Sequence, residues 1–249
     1  MDRAEWRALL EHGASEAGIV LTEEHARAFE VLRDELLSWN SRVNLTSLTG
    51  DREIIVKHFI DSLLCLRGLR FEGGSPSEGS SLIDVGSGGG FPGIPLAIVI
   101  PRMRVHLLES VRKKCEFLDT VVGELNLNAT VVCRRAEDAG RDVGLRESFD
   151  IVVARAVASL PVLAEYCLPF CRVGGTFISM KGPESGSEAE ASVEAIDILG
   201  GCVSRIDEYE LPFGMGGRSL VVVGKVRPTP DNYPRKAGIP RKRPLPARS

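Results

Sequence analysis

The sequence predicts an α/β fold: a doubly wound, seven-stranded, mostly parallel sheet that ends in an antiparallel hairpin, with an N-terminal helical extension. Three observations carry this prediction. From residue 82 onward, apolar β-favouring runs alternate with helical stretches, the pattern of parallel strands joined by right-handed crossovers. The stretch Ser81-Leu-Ile-Asp-Val-Gly-Ser-Gly-Gly-Gly-Phe-Pro-Gly-Ile-Pro95 reads as a buried strand, a glycine turn and the start of a helix. The last two strands have only residues 211–217 between them, too few for a crossover, so they must pair antiparallel.

Residues 1–72 form the predicted helical extension, 80–226 the main domain and 227–249 a basic, proline-rich tail. Thr22 suits an N-cap, with Glu23 and Glu24 in the first turn of the helix it opens. Phe29, Leu32, Leu36 and Trp39 then mark an apolar face at three-to-four spacing, suited to packing against the next domain. Residues 40–46 break the pattern and Ile54 to Leu66 resume it, with Lys57, His58, Asp61 and Ser62 as polar positions. Residues 73–81, rich in Gly and Ser, read as a flexible connector. Strands are predicted at 82–86, 104–109, 130–133, 149–154, 176–180, 203–210 and 219–223. Helices are predicted at 92–100, 111–125, 160–171 and 185–199.

A chain of 249 residues with 43% hydrophobic and 26% charged residues has the composition of a globular protein with a substantial core. Neither a cationic-then-apolar leader nor a membrane-length apolar run is seen, so a cytoplasmic location is expected. Six cysteines include no C-x-x-C pair; Cys167 and Cys171, four apart on a predicted helix, have no histidine near enough to complete a metal site. Reduced core thiols and no metal are the expectation. The net charge of −3 is uneven: residues 225–249 carry eight Lys/Arg and one acidic residue, +7, against −10 elsewhere. A basic tail on an acidic body points to a polyanionic partner docking at one place.

The glycine turn narrows the choice of ligand. Phe91 occupies the sixth position of G-x-G-x-x-G, and no Gly-Lys-Ser/Thr follows, which excludes a P-loop and weakens a dinucleotide site. Asp84 puts a carboxylate beside the glycines and suits a cationic ligand; S-adenosylmethionine, with an ammonium and a sulfonium and no phosphate, meets that requirement. Glu109 ends the second strand, 21 residues beyond Gly88, where a carboxylate can accept two hydrogen bonds from a ribose diol. Ala136 and Glu137 follow the third strand, where they can frame an adenine. Arg155 ends the fourth, and two readings stay open: a site cation holding a carboxylate or an RNA phosphate, or an inert salt bridge.

Absent motifs constrain the reaction. The fourth strand carries no Asp/Asn-Pro-Pro-aromatic for an exocyclic amine, and no Pro-Cys exists for attack on cytosine. An acceptor that is nucleophilic unaided, such as guanine N7, needs neither. Beyond the sheet, the tail's cations can neutralise phosphates and Tyr233 offers a stacking face, on a segment expected to be extended rather than helical.

Val43-Asn-Leu-Thr46, His58-Phe-Ile-Asp-Ser-Leu63, Asp84 to Leu96 through the glycine turn, Ala154-Arg-Ala156, Lys181-Gly182 and Tyr233-Pro-Arg-Lys-Ala-Gly238 together resemble one family. It is the bacterial 16S ribosomal RNA (guanine-N7)-methyltransferase family, RsmG (GidB), and the resemblance runs from about Asn40 to Leu245. It implies a Rossmann-like class I S-adenosylmethionine-dependent methyltransferase fold. It also implies an acceptor guanine, position 527 in the family's name, in the 530 loop of 16S ribosomal RNA or the small ribosomal subunit. With the reading above, the expected cofactor contacts are Gly86, Gly88, Phe91, Glu109, Ala136, Glu137 and Arg155, with Arg155 the one catalytic candidate. RNA contacts are expected from His58, Lys181, Arg218, Arg235, Lys236, Arg241 and Lys242. Ile239, where the tail motif usually has Thr, and Ala154, where Ser is often found, depart from the pattern. The alternatives are a small-molecule methyltransferase of the same fold and a non-catalytic ribosome-associated factor.

Overall fold

The computed structural model describes residues 1–69, 79–155, 158–183 and 185–246. The predicted connector over 73–81 lies mostly outside the described residues, as does Ala156 of the fourth-strand motif.

Helix α1 (Arg3–Glu16) starts at an Asp2 capping box closed by Glu5, and α2 (Glu23–Asn40) at Thr22, closed by His25. Phe29, Leu32 and Leu36 are buried as predicted, and Trp39 meets Phe117 edge-on. Next, α3 (Asp51–Ile54) runs through a π-helical turn over Ile55–Ile60 into α4 (Asp61–Leu64) and a 3₁₀ turn over Cys65–Arg67. This segment is buried on almost every side, Asp61 and Ser62 included, so its polar groups must find partners inside the fold.

The sheet has the order β3-β2-β1-β4-β5-β7-β6. Strands β1 (Ser81–Val85), β2 (Arg104–Glu109), β3 (Ala129–Cys133), β4 (Phe149–Arg155) and β5 (Cys171–Lys181) are parallel. The closing hairpin is β6 (Gly201–Glu210) and β7 (Gly217–Lys225), and β7 inserts antiparallel between β5 and β6. Burial explains that order. Residues 219–223 of β7 are all buried and need a neighbour on each side, whereas β6 exposes much of its length and takes the edge.

Linking these strands are α5 (Gly93–Val99), α6 (Arg112–Glu124), α7 (Ala136–Ala139), α8 (Leu160–Cys167), α9 (Gly186–Ala191) and α10 (Val193–Ile198). One face of the sheet shares a core with α1–α6; the other packs on α8–α10. Three expectations are corrected. The helix predicted over 160–171 ends at Cys167 and Cys171 opens β5, so the two cysteines do not share a helix face. The helix predicted over 185–199 breaks at Ser192, whose hydroxyl donates to the Glu188 carbonyl and competes with the helical ladder. Cys133 and Cys202 are exposed, so only the other four are core thiols.

The tail also departs from the expected extended segment. Lys225, wholly buried, donates to Glu147, to the Leu168 and Cys171 carbonyls and to the Thr229 hydroxyl at 2.6–3.1 Å. Arg146 holds the Thr229 and Tyr233 carbonyls at 2.7 and 2.8 Å. The chain then closes with a short helix, α11 (Ile239–Lys242), and Leu245 joins the core under α8–α10. These contacts order the tail despite its composition. Tyr233 is spent on packing rather than offered as a stacking face.

Candidate active site

The turn after β1 is built as its glycines require. Gly86, Gly88 and Gly90 have φ of 77°, 58° and 86°, a region side chains rarely tolerate. The Gly86 and Ser87 amides donate to the Leu108 carbonyl, which ties the turn to β2. A Cβ on Gly93 would lie 2.9 Å from Asp84 Oδ2 and collide with Leu107, so the helix start packs directly on the strand. Asp84 is not offered to a ligand, contrary to expectation. Its side chain is fully buried, Oδ2 accepts the Gly93 N–H at 2.9 Å, and Oδ1 has no partner among the described residues. Burial pushes this carboxyl up to about 7, against the opposing pull of the Gly93 N–H and Arg155.

Beside the turn, at the carboxyl ends of β1 and β2, lies a cleft of about 310 Å³. Ligands of open α/β sheets bind at such ends. Of the residues expected to hold a cofactor, Gly86, Glu109, Ala136 and Glu137 line it, with Leu108 and Ala158. Glu109 is held rigidly: Oε1 accepts the Ser110 and Val111 amides at 2.6 and 2.8 Å, and Oε2 the Gly88 amide at 3.0 Å. Three of about four lone-pair sites are thereby filled. Oε2 keeps one for a hydroxyl, fewer than the pair expected for a diol. Glu137 accepts the Gly238 amide at 2.8 Å, so the tail closes the cleft's far wall and brings Arg241 and Lys242 to its rim beside Arg134 and Arg135.

The residues present fit S-adenosylmethionine. The turn needs glycine backbone, Glu109 is an acceptor fixed at the end of β2, and small Ala136 and Ala158 leave room for a flat ring.

Phe91 and Arg155 belong to a second group, next to the cleft and outside its lining. Phe91 is 5% exposed and stacks on the His58 ring at 4.5 Å and 9°. Arg155 lies over the same Phe91, 5.2 Å from its centroid. Its guanidinium donates to the Lys57 carbonyl at 2.9 Å, to Asp61 Oδ2 at 3.2 Å and to His58 Nδ1 at 3.1 Å. Asp61 also accepts the Tyr209 hydroxyl at 3.1 Å and has Arg218 at 3.8 Å. Burial, then the Arg155 charge, push the His58 imidazole down to about 3, so it stays neutral.

The expected RNA contacts divide. Lys236, Arg241 and Lys242 are exposed. Lys181 donates to the Ala158 carbonyl and pairs with Glu188, and Arg218 flanks Asp61. Arg235 is instead an internal anchor: it forms a two-pronged ion pair with Glu165, whose side chain is wholly buried. Sequence reasoning passed over Tyr209, read Thr46 only as the end of the Val43-Asn-Leu-Thr46 motif, and missed the central role of Asp61. A lone aspartate inside an apolar helical run was the available signal for the last.

Among the described residues, no helix is long and apolar enough to cross a membrane, and no cluster of His, Cys, Asp or Glu could hold a metal. The strand order, the glycine turn after β1 and the acidic residue ending β2 define a class I methyltransferase fold. The family model described as rRNA small subunit methyltransferase G (GidB) matches residues 25–212, and the chain belongs to that family. A curated relative from Pelotomaculum thermopropionicum, named ribosomal RNA small subunit methyltransferase G, is 50% identical over 95% of this chain and 97% of its own. Another of that name, from Acetivibrio thermocellus, is 48% identical over 96% of each. Among solved structures, MtNAS in complex with MTA and tNA aligns with a TM-score of 0.53 at 17% identity, over 82% of this chain and 75% of that one. Methanococcus jannaschii fibrillarin, a pre-rRNA processing protein, aligns at 0.50 and 15%, over 66% and 75%. At those identities the likeness is one of fold.

Proposed function

We propose that this chain transfers a methyl group from S-adenosylmethionine to N7 of a guanine, position 527 in the family's name, in the 530 loop of 16S ribosomal RNA. It acts in the cytoplasm, with residues 1–72 as a helical extension, 80–226 as the transfer domain and 227–249 as the tail. The observation that carries this reading is Glu109, fixed by three backbone amides at the end of β2 beside the glycine turn, in a chain of this family. When bound, the cofactor supplies a methyl group activated by its sulfonium. The chain's own work is to hold and to orient. Glu109 receives a ribose hydroxyl, and the glycine backbone and Ala136 accept close approach of the adenosine.

Among the described residues, none beside Phe91 is placed to remove a proton. His58 Nδ1 already accepts from Arg155, and the ring stays neutral. Guanine N7 carries a free lone pair and requires no base, so transfer rests on in-line placement. Arg241 and Lys242 on the cleft rim, with exposed Lys236, suit the phosphates of a large RNA better than a small metabolite. Incubation of the pure protein with labelled donor and small ribosomal subunits, followed by mapping, should place one methyl on N7 of that guanine. Label at another base, or none, would overturn the reading.

A further inference from the structure

The loop between α2 and α3 delivers a hydroxyl group to His58, the residue stacked on Phe91 just past the glycine turn. Asn40, the last residue of α2, clamps it: Oδ1 accepts the Leu45 and Thr46 amides at 2.9 and 3.0 Å, and Nδ2 donates to the Thr46 carbonyl at 2.9 Å. Thr46 Oγ1 then lies 2.7 Å from His58 Nε2 and accepts the Leu48 amide at 3.0 Å.

The network fixes where each proton resides. A guanidinium can only donate, so its 3.1 Å contact makes His58 Nδ1 an acceptor and leaves the ring hydrogen on Nε2. Nε2 therefore donates to Thr46 Oγ1. With the Leu48 amide, two donors occupy both lone pairs of the Thr46 hydroxyl. Its own proton has no acceptor among the described residues and must be donated outward. The side chain is held on every other count and is only half-buried. Its location is also informative. His58 stacks on Phe91, which follows the glycine turn, and Arg155, which holds the other His58 nitrogen, ends β4, the strand that flanks β1 opposite β2.

We infer that the Thr46 hydroxyl is a specificity-determining donor that reads O6 of the acceptor guanine. This rests on the proposed N7 transfer. Guanine presents O6 and N7 side by side as acceptors, whereas adenine carries a donor amine at position 6. A fixed O–H at O6 therefore brings N7 forward for guanine and meets a second donor in adenine. The same contact leaves the N7 lone pair free to attack.

The test uses the full chain and two small-subunit RNA substrates that differ only at the target nucleotide, guanine or 2-aminopurine, which keeps N7 and lacks O6. Methyl transfer is read as kcat/KM, with cofactor affinity followed by calorimetry. The wild type should prefer guanine by about tenfold or more, the worth of a buried hydrogen bond. Thr46→Val should lose about tenfold on guanine, change little on 2-aminopurine and bind cofactor as before. Thr46→Ser, which keeps the hydroxyl, should restore the preference. An equal loss on both RNAs, as a structural role or a phosphate contact would give, overturns the assignment, and so does no loss at all. A wild type indifferent to O6 overturns it without any variant. A wild type that methylates neither RNA, yet binds cofactor, marks failure of the N7 reading itself.

Discussion

Arg155, the last residue of β4, lies 3.2 Å from Asp61, the first residue of α4, and both side chains are buried or nearly so. A strand end that would otherwise isolate a permanent cation is thereby tied to the N-terminal helices. Tyr209 and Arg218 bring the closing hairpin to the same carboxylate. The cluster around Asp61 thus draws on residues 94 and 148 positions away from it in sequence.

Removing Asp61 leaves Arg155 buried without its counter-charge, a loss of about 3–5 kcal/mol. Asp61→Ala should lower stability by that order in urea titrations. Asp61→Asn, which still offers an oxygen to Tyr209, should cost less. Equal stability of all three proteins would show that the pair is solvated.

Asp84 predicts a pH dependence of definite sign. Its carboxyl is raised from an ordinary 3.8 to about 7 by burial, so the folded chain binds this proton more tightly than the unfolded one. The group's contribution to stability is complete below about pH 4 and is lost as pH rises through about 7, by up to about 1.4 kcal/mol per pH unit. Asp84→Asn keeps an acceptor for the Gly93 amide and should remove that slope. The difference between wild type and variant in urea titrations from about pH 5 to 8 is the measurement.

The start of α5 admits no side chain. In Gly93→Ala the new methyl would crowd Asp84 and Leu107, an overpacking that costs about 1–3 kcal/mol and shifts the turn beneath the cleft. Calorimetry should find weakened cofactor affinity along with the stability loss. Unchanged affinity would mean that the turn bears no ligand.

The tail should behave as two parts. Arg235→Ala leaves the buried Glu165 carboxylate without its partner and should destabilise the fold by about 3 kcal/mol. Truncation after residue 228 also removes Thr229 from buried Lys225 and should be worse. Arg241 and Lys242 are exposed on the rim. Replacing both with Gln should leave stability within about 0.5 kcal/mol and reduce the salt slope of RNA binding by roughly 2, one for each phosphate that is no longer neutralised.

How much was legible in the sequence follows from how local each signal is. The strand, turn and helix around Gly86 are written in adjacent residues, and the structure reproduces them within a residue or two. The Thr22 cap and the apolar face of α2 are equally local. So is the closing hairpin, since seven residues cannot make a crossover. Glu109, Ala136 and Glu137 follow from the rule that ligands sit at strand ends, and all three line the cleft. The lone-pair count on Glu109 could not be read that way, because Gly88 reaches it across the sheet. Composition pointed to an extended basic segment; only folding shows that Glu165 and Glu137 capture it.

The sequence by itself determined the strands, the glycine turn and the family, because periodicity and motif spacing act over a few residues. Tertiary structure alone decided that β7 lies inside β6, that Arg155 faces Asp61, and that the Thr46 hydroxyl meets His58. Each of those depends on which distant groups share one buried volume, and the cost of an unpaired charge or donor there selects among partners that spacing leaves equivalent.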